Sequence, residues 1–305
     1  MAEAPRIHIP ASDRADLEQA VRDGGGEPGP LERADGLVWL GGDPEQLPDL
    51  PDSVRWVQLP SAGVEQWLRA GAIGTVRAWT CATGAFGLPV AEHALALMLA
   101  ADKALHSFAR ERTWVGEGRH LVRALEGACV LIIGAGGIGR ALISLLAPFG
   151  AEVIAVTRRG RDVPGAARTL PVDRVGEVWG EAHHVVIAAP ATDGTRRLIG
   201  ARELAAMRED AWLVNVARGT LVDTDALVDA LRTGVIGGAA LDVTDPEPLP
   251  AGHPLWELPN ALITPHVATP PEAERRHFAA RVRENVRRLA AGEELEGLID
   301  PEGGY

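Results

Sequence analysis

The fold of this 305-residue chain is decided by the stretch Val130-Leu131-Ile132-Ile133-Gly134-Ala135-Gly136-Gly137-Ile138-Gly139. Its four apolar residues predict a strand buried inside a parallel sheet. The glycines that follow have the GxGxxG spacing and lead straight into a helical segment, residues 140–146. A lone GxGxxG is weak evidence, but a strand before it and a helix after it predict a dinucleotide-binding turn.

Each glycine of this turn has a role that a side chain would obstruct. Gly134 makes the tight turn, Gly136 lets the backbone approach a pyrophosphate, and Gly139 lets the helix close on the strand. The free N–H groups and the positive end of the helix then hold the anionic bridge of the nucleotide.

Composition excludes several classes of partner. The chain is 46% hydrophobic and 24% charged, with a net charge of −12, which is typical of an ordinary globular protein. So acidic a chain is not expected to bind nucleic acid or an anionic membrane surface. The longest apolar region, residues 95–101, is too short to span a bilayer.

Cysteine use and the first residues indicate a cytoplasmic location. Cys81 and Cys129 are the only cysteines, and two in a chain of this length indicate a reducing compartment. Neither belongs to a CxxC pair, so no metal site is expected. Residues 1–10 lack the cationic and apolar segments of a secretory signal.

Periodicity along the chain predicts two α/β domains. Short strands at residues 36–40 and 54–59 alternate with helical stretches over residues 1–100. An apolar face recurring from residue 90 to 112 predicts one long helix that links the domains. After the glycine turn, a βαβ alternation predicts a doubly wound parallel sheet. Its strands are expected at residues 152–157, 184–189, 212–216, 238–243 and 261–264, and its helices at residues 201–207 and 223–232.

The last segment predicts that the first domain is discontinuous. Residues 272–291, beyond two prolines, have the arginine-rich amphipathic pattern of one long helix. We expect this helix to pack on the first domain. The expected arrangement is a substrate domain of residues 1–100 and 271–305, interrupted by a dinucleotide-binding domain of residues 101–270.

Three polar residues follow expected strands of the second domain. Arg218 and His266 come after strand segments, and Glu247 lies in a proline-rich loop. Ligands of an open parallel sheet bind beyond the carboxyl ends of its strands, so these side chains are expected at one crevice. Taken singly, Arg218 fits a surface arginine, Glu247 a solvated loop residue and His266 a strand cap. The presence of all three together favours a catalytic site.

The three residue types fit the reduction of a 2-keto acid. An arginine fork holds the carboxylate and the carbonyl of such a substrate. Reduction delivers hydride to carbon and a proton to oxygen, and histidine is the side chain best suited to give that proton near neutral pH. A neighbouring carboxylate orients the ring and favours its protonated form.

These segments resemble the D-isomer-specific 2-hydroxyacid dehydrogenases, the family of phosphoglycerate dehydrogenase and glyoxylate/hydroxypyruvate reductase. The resemblance runs from about residue 36 to 290, and the arginine-to-glutamate step (247 − 218 = 29) is the family's. It implies two Rossmann-like domains, with the coenzyme domain inserted into a smaller, flavodoxin-like substrate domain. The matching stretches are Ser61-Ala62-Gly63-Val64, Val90-Ala91-Glu92-His93, Leu125-Glu126-Gly127, Asn215-Val216-Ala217-Arg218-Gly219, Gly238-Ala239-Ala240-Leu241-Asp242-Val243 with Glu247-Pro248, and Pro254-Leu255-Trp256 with Thr264-Pro265-His266.

The resemblance implies a role for each site residue. His266 is the acid/base group, Glu247 is its partner and Arg218 binds the substrate. The backbone of the turn Ser61-Ala62-Gly63 cradles the substrate carboxylate, although the residues alone fit a tight turn equally well. Asp242 holds the nicotinamide carboxamide, or is a strand cap. His93 is expected to be structural. Cofactor contacts are expected from Gly134, Gly136, Gly137, Ile138, Gly139, Thr157, Arg158, Arg159, Ala189, Pro190, Thr195, Val216, Ala217 and Asp242.

Two departures from the family pattern bear on specificity. After His266 the chain has Val267-Ala268-Thr269-Pro270-Pro271 where the family has small residues and glycine, which leaves the substrate open. An NAD enzyme has an acidic residue for the ribose 2′-hydroxyl after the second strand, but this chain has Thr157-Arg158-Arg159 there. A hydroxyl and two guanidinium groups suit a 2′-phosphate, so NADP(H) is favoured over NAD(H) unless the arginines only project into solvent.

The leading hypothesis is therefore an NADPH-dependent reductase of small 2-keto acids such as glyoxylate or hydroxypyruvate, and the family implies a homodimer. Its rival is a nucleotide-sensing binding protein of the C-terminal-binding-protein type, which resembles the same family and keeps similar site residues. The acidic composition and the expected NADP preference favour the enzyme. An unrelated Rossmann dehydrogenase for L-hydroxy acids or amino acids does not fit the order of the strand-end residues.

Overall fold

The computed structural model describes residues 3–10, 14–114 and 118–301 of the chain. The chain divides into two compact units, residues 1–86 with 270–305 and residues 87–269. The domain boundary predicted at residue 100 differs from this division. The long helix α3, Gly87–Asp102, belongs wholly to the second unit. The assignment of the units to substrate and dinucleotide stays a prediction.

The first unit contains a five-stranded parallel sheet with the order β2-β1-β3-β4-β5. This 2-1-3-4-5 order is the flavodoxin type of doubly wound sheet. Strands β3 and β4 are buried along their whole length because helices cover both faces. The elements are β1 Arg6–His8, α1 Ala15–Asp23, β2 Glu27–Pro28, β3 Gly36–Val38, β4 Trp56–Gln58, α2 Glu65–Arg69, β5 Ala78–Thr80 and α8 Pro271–Ala291.

A buried polar network ties the C-terminal helix α8 to this sheet. Asn285 Nδ2 on α8 donates to Gln58 Oε1 at 2.9 Å, and Thr80 Oγ1 donates to the same oxygen at 2.9 Å. Trp56 Nε1 in turn donates to Thr80 Oγ1 at 2.8 Å. All four side chains are fully buried, so their hydrogen bonds offset the loss of water. The network fixes the end of β4, which leads directly into the turn at residues 61–63.

The second unit contains a seven-stranded parallel sheet with the order β12-β11-β10-β9-β6-β7-β8. The first strand of this sheet, β6, is an interior strand; the chain continues on one side of it through β7 and β8, then crosses to its other side and continues through β9 to β12. The point of reversal lies between β6 and β9, where such sheets bind ligands. The elements are α3, α4 Leu105–Phe108, β6 Cys129–Ile133, α5 Gly137–Leu146, β7 Glu152–Thr157, β8 Arg168–Pro171, β9 His184–Ile187, α6 Ala201–Ala206, β10 Trp212–Asn215, α7 Thr224–Thr233, β11 Gly238–Leu241 and β12 Ala261–Ile263.

The predicted parallel-sheet α/β fold is confirmed, with differences in single elements. The single helix expected over residues 90–112 is wrong beyond residue 102, because α3 ends there and Ala104 has a left-handed backbone (φ 49°) before α4 begins. Strands β1, β2, β5 and β8 were not predicted; they have two to four residues each. None of the helices in the described ranges is long and apolar enough to cross a membrane.

Candidate active site

The glycine turn between β6 and α5 is crowded at two glycines and open at the third. Gly134 has φ 100°, and a Cβ there would lie 2.7 Å from the carbonyl of Ala188. A Cβ on Gly139 would lie 2.2 Å from the carbonyl oxygen of Gly134. A Cβ on Gly136 would meet nothing within 4 Å. The turn therefore leaves free space in front of Gly136 and the N-terminus of α5, which fits the pyrophosphate of a dinucleotide.

The end of β7 carries no carboxylate that would repel a phosphate. Arg158 and Arg159 are both exposed there. The hydroxyl oxygen of Thr157 is buried and has no hydrogen-bond partner among the described residues. Of these three side chains, the two guanidinium groups are therefore accessible at the end of β7 and the threonine hydroxyl is not.

The other expected cofactor residues line the ends of β9 and β10. Thr195 Oγ1 donates to the carbonyl of Pro190 at 2.8 Å and accepts from the Thr192 amide at 2.8 Å, so it closes the loop after β9. Val216 and Ala217 are buried at the end of β10. These residues shape the loops, and the structure gives their side chains no other role.

The loops after β10, β11 and β12 are held against one another. These strands are neighbours, with Asn215 paired to Leu241 and Leu241 to Ile263. A Cβ on Gly219 would lie 1.9 Å from the carbonyl oxygen of Thr244, so only glycine allows this approach. Thr224 Oγ1 donates to the carbonyl of Asp245 at 2.7 Å. The loop with Arg218 is therefore packed on the loop that leads to Glu247.

His266 and Glu247 form a direct pair. His266 Nδ1 lies 2.6 Å from Glu247 Oε1, and the other carboxylate oxygen accepts from the Thr244 amide at 3.4 Å. Both side chains are about half exposed, at 51% and 41%. With Nδ1 donating to the carboxylate, the Nε2 edge of the ring is left for another partner. Such a pair can give or take a proton at Nε2.

Arg218 is half-buried at the end of β10 and is held by its own turn. Its Nη1 donates to the carbonyl of Ala217 at 2.7 Å. Its backbone carbonyl accepts from Asn215 Nδ2 at 2.9 Å, and Asn215 Oδ1 accepts from the Ala217 amide at 3.1 Å. The buried Asn215 amide thus closes the turn that presents the guanidinium group, a contact that sequence reasoning missed.

The Asp242 carboxylate is enclosed by donors from three segments. Oδ1 accepts from Thr264 Oγ1 at 2.6 Å and from the Val267 amide at 3.0 Å, and Oδ2 accepts from the Ala268 amide at 3.1 Å. His93 Nε2 lies 3.3 Å from Oδ1. Burial raises the pKa of Asp242, but these hydrogen bonds outweigh burial and lower it from 3.8 to about 2. The carboxylate therefore stays ionised at neutral pH.

His93 and Thr264 belong to this network, whereas only a structural role was expected for His93 and no role for Thr264. His93 Nε2 lies 3.0 Å from Thr264 Oγ1. The strand register explains the contact of Thr264 with Asp242. Leu241 pairs with Ile263, and Asp242 and Thr264 are the next residues after these two strands. His93 comes from α3, 171 residues away from Thr264, and periodicity carries no information about such a contact.

The turn at residues 61–63 lies in the first unit. Ser61 Oγ donates to the carbonyl of Gly63 at 2.6 Å, and the Ser61 carbonyl accepts from the Ala82 amide at 2.9 Å. The amides of Ala62 and Gly63 donate to no acceptor within the described part of the chain. Two adjacent free N–H groups are suited to hold a carboxylate.

The described side chains were compared with the arrangements that bind metal ions. No group of three or more His, Cys, Asp or Glu residues in the described ranges is arranged to hold a metal ion.

Comparisons with known proteins point to one family. The family model described as "D-isomer specific 2-hydroxyacid dehydrogenase, NAD binding domain" matches residues 93–268. A protein of Corynebacterium melassecola, named only as an uncharacterized protein in the proB 3′ region, is 40% identical over 94% of this chain and 95% of its own length. Glyoxylate/hydroxypyruvate reductase B of Pectobacterium carotovorum is 34% identical over 70% of this chain and 68% of its own length.

A solved structure extends this likeness to the whole chain. The D-isomer specific 2-hydroxyacid dehydrogenase of Xanthobacter autotrophicus Py2, in complex with NADPH and MES, aligns with 99% of this chain and 100% of its own at 26% identity and a TM-score of 0.81. The chain spans about half the length, 53%, of two glyoxylate reductases that it also matches.

Two alanine substitutions in the glycine turn separate nucleotide binding from folding. Gly136→Ala should change the unfolding free energy by less than about 0.5 kcal/mol, because its methyl group meets open space. It should weaken dinucleotide binding at least about tenfold, because the methyl group stands where the pyrophosphate approaches. The matched variant Gly139→Ala should destabilise the nucleotide-free protein by about 1–3 kcal/mol through its clash with the Gly134 carbonyl.

Thermal unfolding without nucleotide and fluorescence titration with NADPH measure the two effects. Unchanged affinity in Gly136→Ala would show that the open side of the turn does not face the nucleotide.

Proposed function

Because the chain belongs to the D-isomer-specific 2-hydroxyacid dehydrogenase family, we propose that it is an NADPH-dependent reductase of small 2-keto acids. Glyoxylate and hydroxypyruvate are the substrates that we favour, since two relatives that carry these names are 34% identical over 58% and 70% of this chain. The observation that carries the proposal is the His266–Glu247 pair, 2.6 Å apart, at the carboxyl end of a sheet that also bears an open glycine turn. The open glycine turn between β6 and α5 fits the nicotinamide dinucleotide that the family model names.

His266 is the acid/base group of this proposal. Glu247 accepts the Nδ1 proton and orients the ring, so Nε2 carries the proton that moves. When bound, the reduced nicotinamide supplies a hydride to the carbonyl carbon of the substrate. His266 Nε2 donates its proton to the carbonyl oxygen as that oxygen gains charge, and takes it back in the reverse direction.

Arg218 and the turn at residues 61–63 bind the substrate. The guanidinium group of Arg218 makes charge-assisted hydrogen bonds to the carboxylate and carbonyl of a 2-keto acid. The free amides of Ala62 and Gly63 provide further donors for the carboxylate. Small 2-keto acids offer both acceptor groups on adjacent carbons, which is why this substrate class suits these donors.

NADPH is the proposed reductant. Arg158 and Arg159 are exposed at the end of β7, where a carboxylate would favour NADH. The Xanthobacter relative, 26% identical, was crystallised with NADPH, which supports the same choice. The N–H groups at the start of α5 would hold the pyrophosphate.

Two further parts of the proposal concern assembly and location. We propose a homodimer, on the family resemblance, and a cytoplasmic location. The location is supported by two free cysteines, Cys81 and Cys129, in the described structure.

Steady-state assays with a panel of 2-keto acids test the proposed function. The protein should consume NADPH with glyoxylate or hydroxypyruvate, and His266→Ala should lower kcat by roughly 10²–10⁴-fold because it removes the proton donor. The dissociation constant for NADPH should stay nearly unchanged, since the imidazole binds no part of the nucleotide in this proposal. His277→Ala is a matched control, because this histidine lies on α8 outside the site.

Two results would overturn the proposal. One is near-normal turnover in His266→Ala. The other is tight NADPH binding with no turnover of any 2-keto acid, which would favour a nucleotide-sensing binding protein.

Cofactor preference is tested by removing the exposed arginines. A charge-assisted hydrogen bond contributes about 1.5–3 kcal/mol, so a single contact to the 2′-phosphate gives roughly tenfold or greater discrimination for NADPH. Arg158→Ala with Arg159→Ala should abolish that preference in kcat/KM without changing kcat at saturating NADPH. The preference of the unmodified protein should shrink as salt is raised, because the contact is exposed.

Arg202→Ala is the matched control, since it removes an exposed arginine from α6. Equal kcat/KM for NADH and NADPH in the unmodified protein would contradict the proposed role of these arginines.

A further inference from the structure

The backbone of His266 requires outside support. Its φ of 52° lies in the left-handed region, which residues other than glycine adopt uncommonly, although histidine is found there more often than most. Such a conformation persists where the surrounding structure overdetermines it. Glu247 orients the ring, but it makes no hydrogen bond to the backbone of residues 265–268 in the described structure. Another group must therefore hold the backbone.

Asp242 provides that support from both sides of the histidine. Its carbonyl oxygen accepts from the His266 amide at 2.8 Å, and its carboxylate accepts from the amides of Val267 and Ala268 at 3.0 and 3.1 Å. Three successive amides are thus bound to one residue. The Asp242 side chain is only 1% exposed, so water does not compete for these bonds.

His93 completes the set of donors around this carboxylate. Thr264 Oγ1 donates its only hydrogen to Asp242 Oδ1. The same hydroxyl oxygen lies 3.0 Å from His93 Nε2, and in that contact it acts as the acceptor. Nε2 of His93 must then carry a hydrogen, and it lies 3.3 Å from the carboxylate as well. An ionised carboxylate accepts about four hydrogen bonds. Thr264, Val267 and Ala268 supply three, and His93 is positioned to supply the fourth.

We propose that His93 is a positioning residue for the acid/base histidine: through Thr264 and Asp242 it holds His266 in its left-handed backbone conformation. This inference rests on the proposed function for the role of His266. Without the N–H of His93, the Thr264 hydroxyl is free to rotate away and the buried carboxylate lacks one donor. The loop of residues 264–268 then samples conformations in which the imidazole no longer faces the substrate.

The His93 side chain is 20% exposed and lies on α3, so its contacts are more easily changed than those of the buried aspartate. Two substitutions separate its hydrogen bond from its bulk. His93→Leu fills a similar volume without a donor. His93→Gln retains an N–H group near the position of Nε2 and serves as the conservative rescue.

A double-mutant cycle with His266→Ala tests the proposal. His93→Leu should lower kcat for 2-keto acid reduction by roughly 10- to 100-fold, the effect of losing one hydrogen bond to a charged group. His93→Gln should recover most of that loss. In the His266→Ala background, His93→Leu should change the residual rate by less than about twofold, because the group that it positions is already gone. Equal losses in both backgrounds would overturn the proposal, since His93 would then act on something other than His266.

Hydrogen exchange gives a readout that is independent of activity. Exchange of the Val267 and Ala268 amides should accelerate in His93→Leu and stay slow in His93→Gln, while the amides of strand β11 keep their protection. Acceleration throughout the unit would mean that the substitution only destabilises the fold and would overturn the proposal. If the unmodified protein reduces no 2-keto acid, the proposed function fails, and exchange at these two amides still decides whether His93 holds the loop.

Discussion

A single buried carboxylate organises the candidate active site. Asp242 sits at the end of β11 with its side chain 1% exposed, and an ionised group so deeply buried is stable only when donors surround it. The donors come from Thr264 just after β12, from the loop that follows His266, and from α3. The need to satisfy this charge fixes the conformation of the loop that carries the histidine. The position of His266, the proposed acid/base group, thus follows from the hydrogen bonds that satisfy one buried anion.

The topology brings the remaining groups to the same edge. Because β10, β11 and β12 are parallel neighbours, the loops after them start side by side. Gly219 then allows the Arg218 turn to touch the backbone at Thr244, at a distance that no side chain would permit. The glycine turn at the end of β6 lies on the same carboxyl-terminal side of the sheet. Arg218, Glu247, His266 and the glycine turn therefore lie at one edge because of the winding of one sheet.

Features governed by local sterics were readable from the sequence. The GxGxxG turn was predicted from its spacing between a strand and a helix, and the 2.2 Å approach of a Cβ on Gly139 to the Gly134 carbonyl oxygen is a local clash of the kind that requires glycine. The convergence of Glu247 and His266 on one crevice was expected because parallel strand ends meet, and the family resemblance implied that they pair. The break at Ala104 was not readable, since alanine is not typical of a left-handed backbone, and the left-handed backbone of His266 depends on contacts with Asp242 that are distant in sequence. The contact of His93 with Thr264 joins residues 171 apart and depends on tertiary packing alone.

The reaction proposed for this site is the reduction of a 2-keto acid by transfer of a hydride from NADPH to one face of the carbonyl group. The most direct measurement is the configuration and label of the product formed from hydroxypyruvate with NADPH that is deuterated at C4 of the nicotinamide. The account predicts D-glycerate with one deuterium at C2 when the transferred position is the labelled one. L-glycerate, or D-glycerate without deuterium from either C4 epimer of the labelled cofactor, would contradict it.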